Sequence, residues 1–140
     1  MSKQNKVVIL AIKPKYAEAI YSGKKRWEFR KAPPPVPGWV YLYESAPVSK
    51  ITGCVYLAFK VQGQPDDVWD VTKCQHLISG SAGISWTEFR AYVGEAKSVA
   101  ACATFSAERY PEPIALNPGV RPPQNWGRYV VIEKKAEDGQ

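Results

Sequence analysis

Residues Arg26 to Arg30 read Arg-Trp-Glu-Phe-Arg, a strict alternation of charged and aromatic side chains. A period of two is the signature of a β-strand with one face in a core. Trp27 and Phe29 then share the buried face, and Arg26, Glu28 and Arg30 share the other. A carboxylate flanked by two guanidinium groups suits an anionic or hydrogen-bonding ligand, with nucleic acid the first candidate. The surrounding stretch from Gly23 to Lys31 holds five positive charges and one carboxylate.

The neighbouring segments place this strand. Residues 7–12 form a short β-branched apolar run, read as a buried strand. Pro14 suits the first turn of a helix, Tyr16, Ala17, Ala19 and Ile20 give it an apolar stripe, and Gly23 ends it. Residues 32–38 are too rich in proline for helix or central strand and are expected to be an extended loop. Strands are expected over 39–43 and 51–61, with Gly53 as a bulge or close-approach site. A polar turn over 62–67 and a helix over 68–78 follow, then a flexible link over 79–83. Ser85 with Glu88 makes a capping box for another helix that ends at Gly94. A fifth strand is expected over 98–105, an irregular proline-rich segment over 110–123, a turn at Asn125-Trp126-Gly127 and a last strand over 128–133. Residues 134–140 read as a frayed polar tail. No internal repeat or domain-sized linker interrupts the pattern, so one domain with its core over about 7–133 is expected.

A chain of 140 residues with 45% hydrophobic and 23% charged residues can bury a real core. No apolar run approaches bilayer-spanning length, and the polar start and short 7–12 run do not form a secretory signal, so a soluble, cytoplasmic protein with no membrane partner is expected. Cys54, Cys74 and Cys102 are widely spaced and His76 is the one histidine. That pattern argues against a disulfide framework and a structural zinc site, and no metal or organic cofactor is implied. The net charge of +6 favours anionic partners. Its clustering says more: Lys13, Lys15, Lys24, Lys25, Arg26, Arg30 and Lys31 fall in the first quarter of the chain, whereas Asp66, Asp67 and Asp70 mark the middle.

Four ordered segments resemble the ASCH domain of the PUA-like superfamily. They are Ile9-Leu10-Ala11-Ile12-Lys13-Pro14-Lys15-Tyr16-Ala17, the Gly23-x-Lys25-x-x-Glu28-x-Arg30 signature, and Leu42-Tyr43-Glu44-Ser45 followed by Ile51-Thr52-Gly53. The fourth is the run from Gly83-Ile84-Ser85 through Phe89 and Tyr92 to Tyr110, Pro113-Ile114 and Pro122-Pro123-Gln124. The resemblance implies an α+β fold: a small mixed PUA-like β-barrel of five to six strands with flanking helices and a cleft between barrel and helices. It also implies RNA, or a nucleotide-like small molecule, as partner, with DNA as an alternative. Some relatives are similar to amidohydrolases that remove an acyl group from N4 of cytidine, and others are assigned ribonuclease activity. In the amidohydrolase pattern a Lys and a nucleophilic Thr match Lys25 and Glu28. Glu28 in place of Thr removes that hydroxyl, since a carboxylate can act as a general base but not as the same nucleophile.

The expected ligand-binding residues are Lys13, Lys15, Lys25, Glu28, Arg30, Tyr43, Ser45, Gln124 and Arg128, with Lys25 and Glu28 catalytic if the protein is an enzyme. Arg30 is suited to gripping phosphate or a base edge, and Glu28 to orienting Arg30, accepting a base amino group or taking a proton. Each has a structural alternative. Glu28 and its arginines could be surface ion pairs, Lys25 a solvated loop lysine and Tyr43 a core residue. Gln124 and Arg128 are joined to the site by the resemblance alone. Trp39 and Trp126, beside loops, are candidates for base stacking or for core. Three functions stay open: RNA or nucleotide binding, a metal-independent ribonuclease or modified-nucleoside hydrolase in the same cleft, and a protein adaptor working through the proline-rich loops.

Overall fold

The computed structural model of the protein describes residues 6–74 and 82–130. Its elements are β1 (Lys6–Ile12), α1 (Pro14–Tyr21), β2 (Trp27–Arg30), β3 (Gly38–Glu44), β4 (Lys50–Gly63), α2 (Pro65–Thr72), α3 (Trp86–Val93), β5 (Val99–Ile114) and β6 (Trp126–Val130). The six strands form one mixed sheet in the order β2-β5-β4-β3-β1-β6. Among the described residues only β1 and β3 run parallel, and α1 lies on the connection that a parallel pair requires. The fold is therefore α+β. The expected closed barrel is not formed among the described residues, because no backbone ladder joins the edge strands β2 and β6.

Alternation along the strands sorts the core onto two faces. Leu10, Ile12, Val40, Leu42, Val55, Leu57 and Cys102 pack under Ala17 and Ile20 of α1. On the opposite face Trp27, Phe29, Val99, Ala101 and Ala103 pack against Val68 and Trp69 of α2 and Phe89 and Val93 of α3. Ile9, Tyr43 and Ile51 make a smaller cluster, joined by Tyr41, Tyr110 and Tyr129. The alternation at 26–30 thus works as the pattern implies for Trp27 and Phe29. Arg26, however, precedes the strand. Its Nε donates to the Thr104 carbonyl at 3.4 Å and its guanidinium lies 5.3 Å from the Phe105 ring centroid.

Prolines account for most of the differences from the sequence-based elements. Pro65 stands in the first turn of α2, where its missing N–H costs nothing, so the helix starts inside the expected polar turn. It ends at Thr72, short of the expected 78, and residues 75–78 lie outside the described residues. Strand β5 continues through Pro111 and Pro113 to Ile114, where a loop is expected. The β4–β5 register jumps between the Gly53–Arg109 and Ile51–Ile114 pairs, so Pro111 and Pro113 sit where the ladder makes no regular demand for an N–H. Trp126 and Gly127 open β6 rather than a turn, through pairing of Leu10 with Trp126 and Ile9 with Gly127. The helix after Ser85 matches its signature: Glu88 N–H donates to Ser85 Oγ at 3.0 Å and Ser85 N–H to Glu88 Oε1 at 2.9 Å. The polar start, His76, the 79–81 part of the link and the 131–140 tail lie outside the described residues.

Gly53 is needed for close approach. A Cβ there would run into the Glu108 backbone carbonyl and the Tyr21 hydroxyl, which sits 2.8 Å from Thr52 Oγ1. Since backbone cannot rotate away, Gly53→Ala is expected to destabilise the protein by about 1–3 kcal/mol, the usual cost of overpacking. An unchanged urea midpoint would show that β5 does not press on β4 there.

Candidate functional site

A cleft of about 600 Å³ opens where α1 and α3 face each other across the β2 edge. Ala11, Ile12, Lys13 and Tyr16 line one wall, Ile84, Glu88, Ala91 and Tyr92 the other. Lys25, Glu28, Phe29 and Arg30 form its base, and Ser45 and Gln124 complete the lining.

The chain delivers Lys25 to this place through the end of α1. The helix closes with Ser22 and Gly23 N–H groups bonded back to Glu18 and Ile20 carbonyls, and Lys25 N–H then bonds the Ala19 carbonyl at 2.9 Å. Lys25 is 2% exposed, far from the solvated loop residue of the alternative reading. Its Nζ donates to the Ala82 carbonyl at 3.1 Å and lies 5.3 and 5.4 Å from the Phe29 and Tyr16 ring centroids. Gly83 (φ +78°) makes this cover possible, because a Cβ would collide with the Lys25 side chain. Burial lowers the Lys25 pKa from its ordinary value; the nearby Glu28 carboxylate works in the opposite direction.

Glu28 occupies the β2 position opposite Cys102, so its side chain emerges on the α1 face. Oε2 accepts from Arg30 Nε at 2.7 Å, whereas Oε1 lies 3.7 Å from Lys25 Nζ. One carboxylate oxygen is thus clamped, and the other shares its space with an ammonium group. Both side chains are nearly excluded from water, which makes the pair unlike a surface ion pair. Arg30 spends all three guanidinium nitrogens on protein groups: Nε on Glu28, NH1 on Asn125 Oδ1 at 2.7 Å and NH2 on the Ala11 carbonyl at 2.6 Å. This geometry does not present Arg30 as a free fork for phosphate. It makes Arg30 a brace between β2 and the β1–β6 side of the sheet.

Of the expected site residues, Lys13, Lys25, Glu28, Arg30, Ser45 and Gln124 come together in the cleft. Lys15 stands at its rim, exposed and paired with Glu88 at 2.9 Å. Tyr43 does not reach it, being packed with Ile9 and Ile51 in the small cluster on the other face. Arg128 pairs with Val8 across β6 and β1 and lies 5.4 Å from the Trp126 ring, outside the lining. Trp39 is exposed beside Tyr56, and Trp126 is half-buried with its indole N–H on the Ala32 carbonyl. Neither indole lines the cleft.

Sequence reasoning missed the α3 wall. Glu88 Oε2 accepts from both Lys15 Nζ and Tyr16 OH, at 2.9 and 3.1 Å, so one carboxylate joins the two helices across the cleft. Those bonds and the Ser85 N–H hold its pKa down to about 2. The capping box announced Glu88, but only as a helix start. Tyr92 and Asn125 were hidden for a similar reason, since their partners Lys31 and Arg30 lie 61 and 95 residues away. The lining then carries three cations, Lys13, Lys25 and Arg30, against two carboxylates, Glu28 and Glu88. It is nearer a zwitterionic pocket than a positively charged groove.

The depressed Lys25 pKa has a stability consequence. Between the folded-state pKa and the ordinary 10.5, the unfolded chain holds a proton that the folded chain has released. Stability therefore rises with pH in that window and is lost as pH falls through the folded value. The stability of the wild type relative to Lys25→Met, read from urea unfolding, is expected to improve from pH 7 to pH 10. A flat difference would show that burial does not strain the ammonium form. Glu28→Gln leaves Lys25 and Arg30 buried without a counter-charge and is expected to cost about 3–5 kcal/mol.

Comparison with known proteins places this geometry. The model of the ASCH domain matches residues 10–135. An ASCH domain-containing ribonuclease of Zymomonas mobilis is 35% identical over 66 residues, which cover 46% of this chain and 45% of that protein, less than half of either. Two crystal structures of the Zymomonas mobilis ASCH protein superpose over most of the chain. A tyrosine-to-phenylalanine mutant does so with TM-score 0.75 and 25% identity, over 88% of this chain and 89% of its own. A serine-to-alanine mutant gives 0.74 and 26%, over 86% and 85%. The Gly23-x-Lys25-x-x-Glu28-x-Arg30 base of the cleft lies within the matched range, and the chain belongs to the ASCH domain family.

Proposed function

We propose that this chain binds single-stranded RNA, or a nucleotide-like ligand, in the cleft between α1 and α3, with Lys25 and Glu28 at its polar centre. The observation that carries the proposal is the buried Lys25–Glu28–Arg30 set at the base of a space of about 600 Å³. A volume of that order is typical of small-ligand sites and too confined for a duplex. Tyr16 and Tyr92 are the aromatic members of opposite walls, with Lys15 and Lys25 over the Tyr16 ring and Lys31 over the Tyr92 ring, and Lys13 offers a cation to a phosphate. Ligand polarity, rather than strong positive charge, would govern entry.

A second reading, cleavage of the bound RNA, is favoured by the ribonuclease name of the Zymomonas mobilis relative and by the depressed Lys25 pKa. Glu28 Oε1 would take the proton of a 2′-hydroxyl as its oxygen attacks the adjacent phosphorus. Lys25 would give a proton to the departing 5′-oxygen, leaving a 2′,3′-cyclic phosphate. The step as written uses side chains alone; among the described residues no three His, Cys, Asp or Glu are grouped to hold a metal ion. Acyl transfer through a residue-28 hydroxyl has no counterpart, since Glu28 stands there with one oxygen bonded to Arg30.

The test is fluorescence anisotropy with a labelled single-stranded RNA at low salt in EDTA, followed by analysis of the same RNA for cleavage. Lys25→Met is expected to weaken binding about tenfold or more. Lys13→Ala is expected to weaken it more uniformly and to lower the slope of log affinity against log salt by about 1. Cyclic-phosphate ends that disappear in Lys25→Met would establish cleavage. No binding by the wild type at low salt would overturn the assignment.

A further inference from the structure

The Arg30 brace ends on a residue outside the cleft. Asn125 is absent from the lining, yet its Oδ1 accepts from Arg30 NH1 at 2.7 Å. Two more of its polar atoms are fixed as well: Nδ2 donates to the Ala32 carbonyl at 2.9 Å, and its backbone carbonyl accepts from Ala11 N–H at 2.9 Å. Ala11 in turn supplies the carbonyl that takes Arg30 NH2. Two points of the guanidinium plane are therefore set by Asn125 and by the strand that Asn125 fastens. The third, Nε, reaches Glu28 Oε2 at 2.7 Å.

A guanidinium is planar and rigid, so fixing NH1 and NH2 fixes the direction of Nε–H. That direction fixes which Glu28 oxygen is clamped and which is turned toward Lys25. We infer that Asn125 is a positioning residue, acting through Arg30 to hold Glu28 Oε1 toward Lys25 and the cleft. The inference deepens the proposed RNA-binding role and rests on it for its functional consequence, though not for its structural one. Charge-assisted bonds at each step make the chain Asn125–Arg30–Glu28 stiff, and ligand recognition depends on a side chain that the ligand does not touch.

Two substitutions separate positioning from simple structural support. Asn125→Leu removes both the acceptor for Arg30 and the donor to Ala32. Asn125→Asp keeps an acceptor for Arg30, gives up the donor and brings a carboxylate charge beside the Ala32 carbonyl. Both are made in the full chain and followed by thermal unfolding, by the arginine Nε–H signals in ¹H–¹⁵N spectra, and by anisotropy with the labelled single-stranded RNA. Asn125→Leu is expected to lose more thermal stability than Asn125→Asp, because it gives up the Arg30 bond as well as the Ala32 bond, so affinities are compared at a temperature where both variants are folded. In Asn125→Leu the Arg30 Nε–H signal is expected to move and exchange faster, with RNA affinity falling about tenfold, whereas Asn125→Asp keeps both close to wild type. An unmoved Arg30 signal in Asn125→Leu would overturn the positioning role whether or not RNA binds. Equal loss of affinity in both variants would also overturn it, assigning the effect to the Ala32 latch. If the wild type binds no RNA, the ligand assignment fails, and the Arg30 signal alone still decides whether Asn125 sets the brace.

Discussion

The site depends on taking three charges out of water at an unpaired sheet edge. Lys25, Glu28 and Arg30 lie within one short segment, and each is nearly excluded from solvent. Desolvating ions costs more than a single pair usually returns unless the remaining donors and acceptors are satisfied. Here the balance is met by neutral groups from distant parts of the chain: the Ala82 carbonyl for Lys25, and the Ala11 carbonyl and Asn125 amide for Arg30. The surrounding structure is arranged so that these groups arrive. Gly83 has no Cβ to hold the loop off Lys25, and β6 pairs with β1 in a register that sets Asn125 beside Ala11.

The same bonds relate the fold to the cleft. A six-stranded sheet with β2 and β6 at its ends leaves two rows of backbone groups to be managed. No ladder joins these edges among the described residues; side chains bridge part of the interval instead. Arg30 spans from β2 to β1, and Asn125 and Trp126 both reach the Ala32 carbonyl just after β2. Side chains leave more room than a continued ladder, and the cleft occupies the β2 side of this interval under α1 and α3. The cleft is thus a consequence of incomplete closure.

Local physics made part of this legible in sequence. The Trp27 and Phe29 alternation, the Pro14 start, the Gly23 stop and the Ser85–Glu88 capping box each act within a few residues, and the structure follows them. The cleft base was legible as residue types but not as roles. A pattern of Arg, Glu and Arg at alternate positions reads as one face, yet Arg26 turns to the Thr104 carbonyl because the strand begins one residue later. Arg30 reads as a phosphate fork until Asn125 and the Ala11 carbonyl are in place. Tyr43 looks well placed near the end of β3, but the pleat sends it to the opposite face among Ile9 and Ile51. Pro111 and Pro113 signal a loop by composition, whereas tertiary pairing with an irregular register accommodates them in β5. Long-range partners decided the cases of Arg30 and of Pro111 and Pro113.

Charge distribution bears on what the proposed site would recognise. The chain carries +6, but the cleft lining holds three cations and two carboxylates, and Lys15 at the rim is paired with Glu88. The excess positive charge therefore lies mostly elsewhere and can raise the encounter rate with a polyanion without specifying what enters. Within the cleft a donor, Lys25, and an acceptor, Glu28 Oε1, stand 3.7 Å apart in a nearly dry setting. A ligand offering only negative charge would satisfy the first and repel the second. One that offers an acceptor and a donor side by side satisfies both, so under the proposed binding role selectivity at the base of the cleft would come from matching hydrogen-bond polarity.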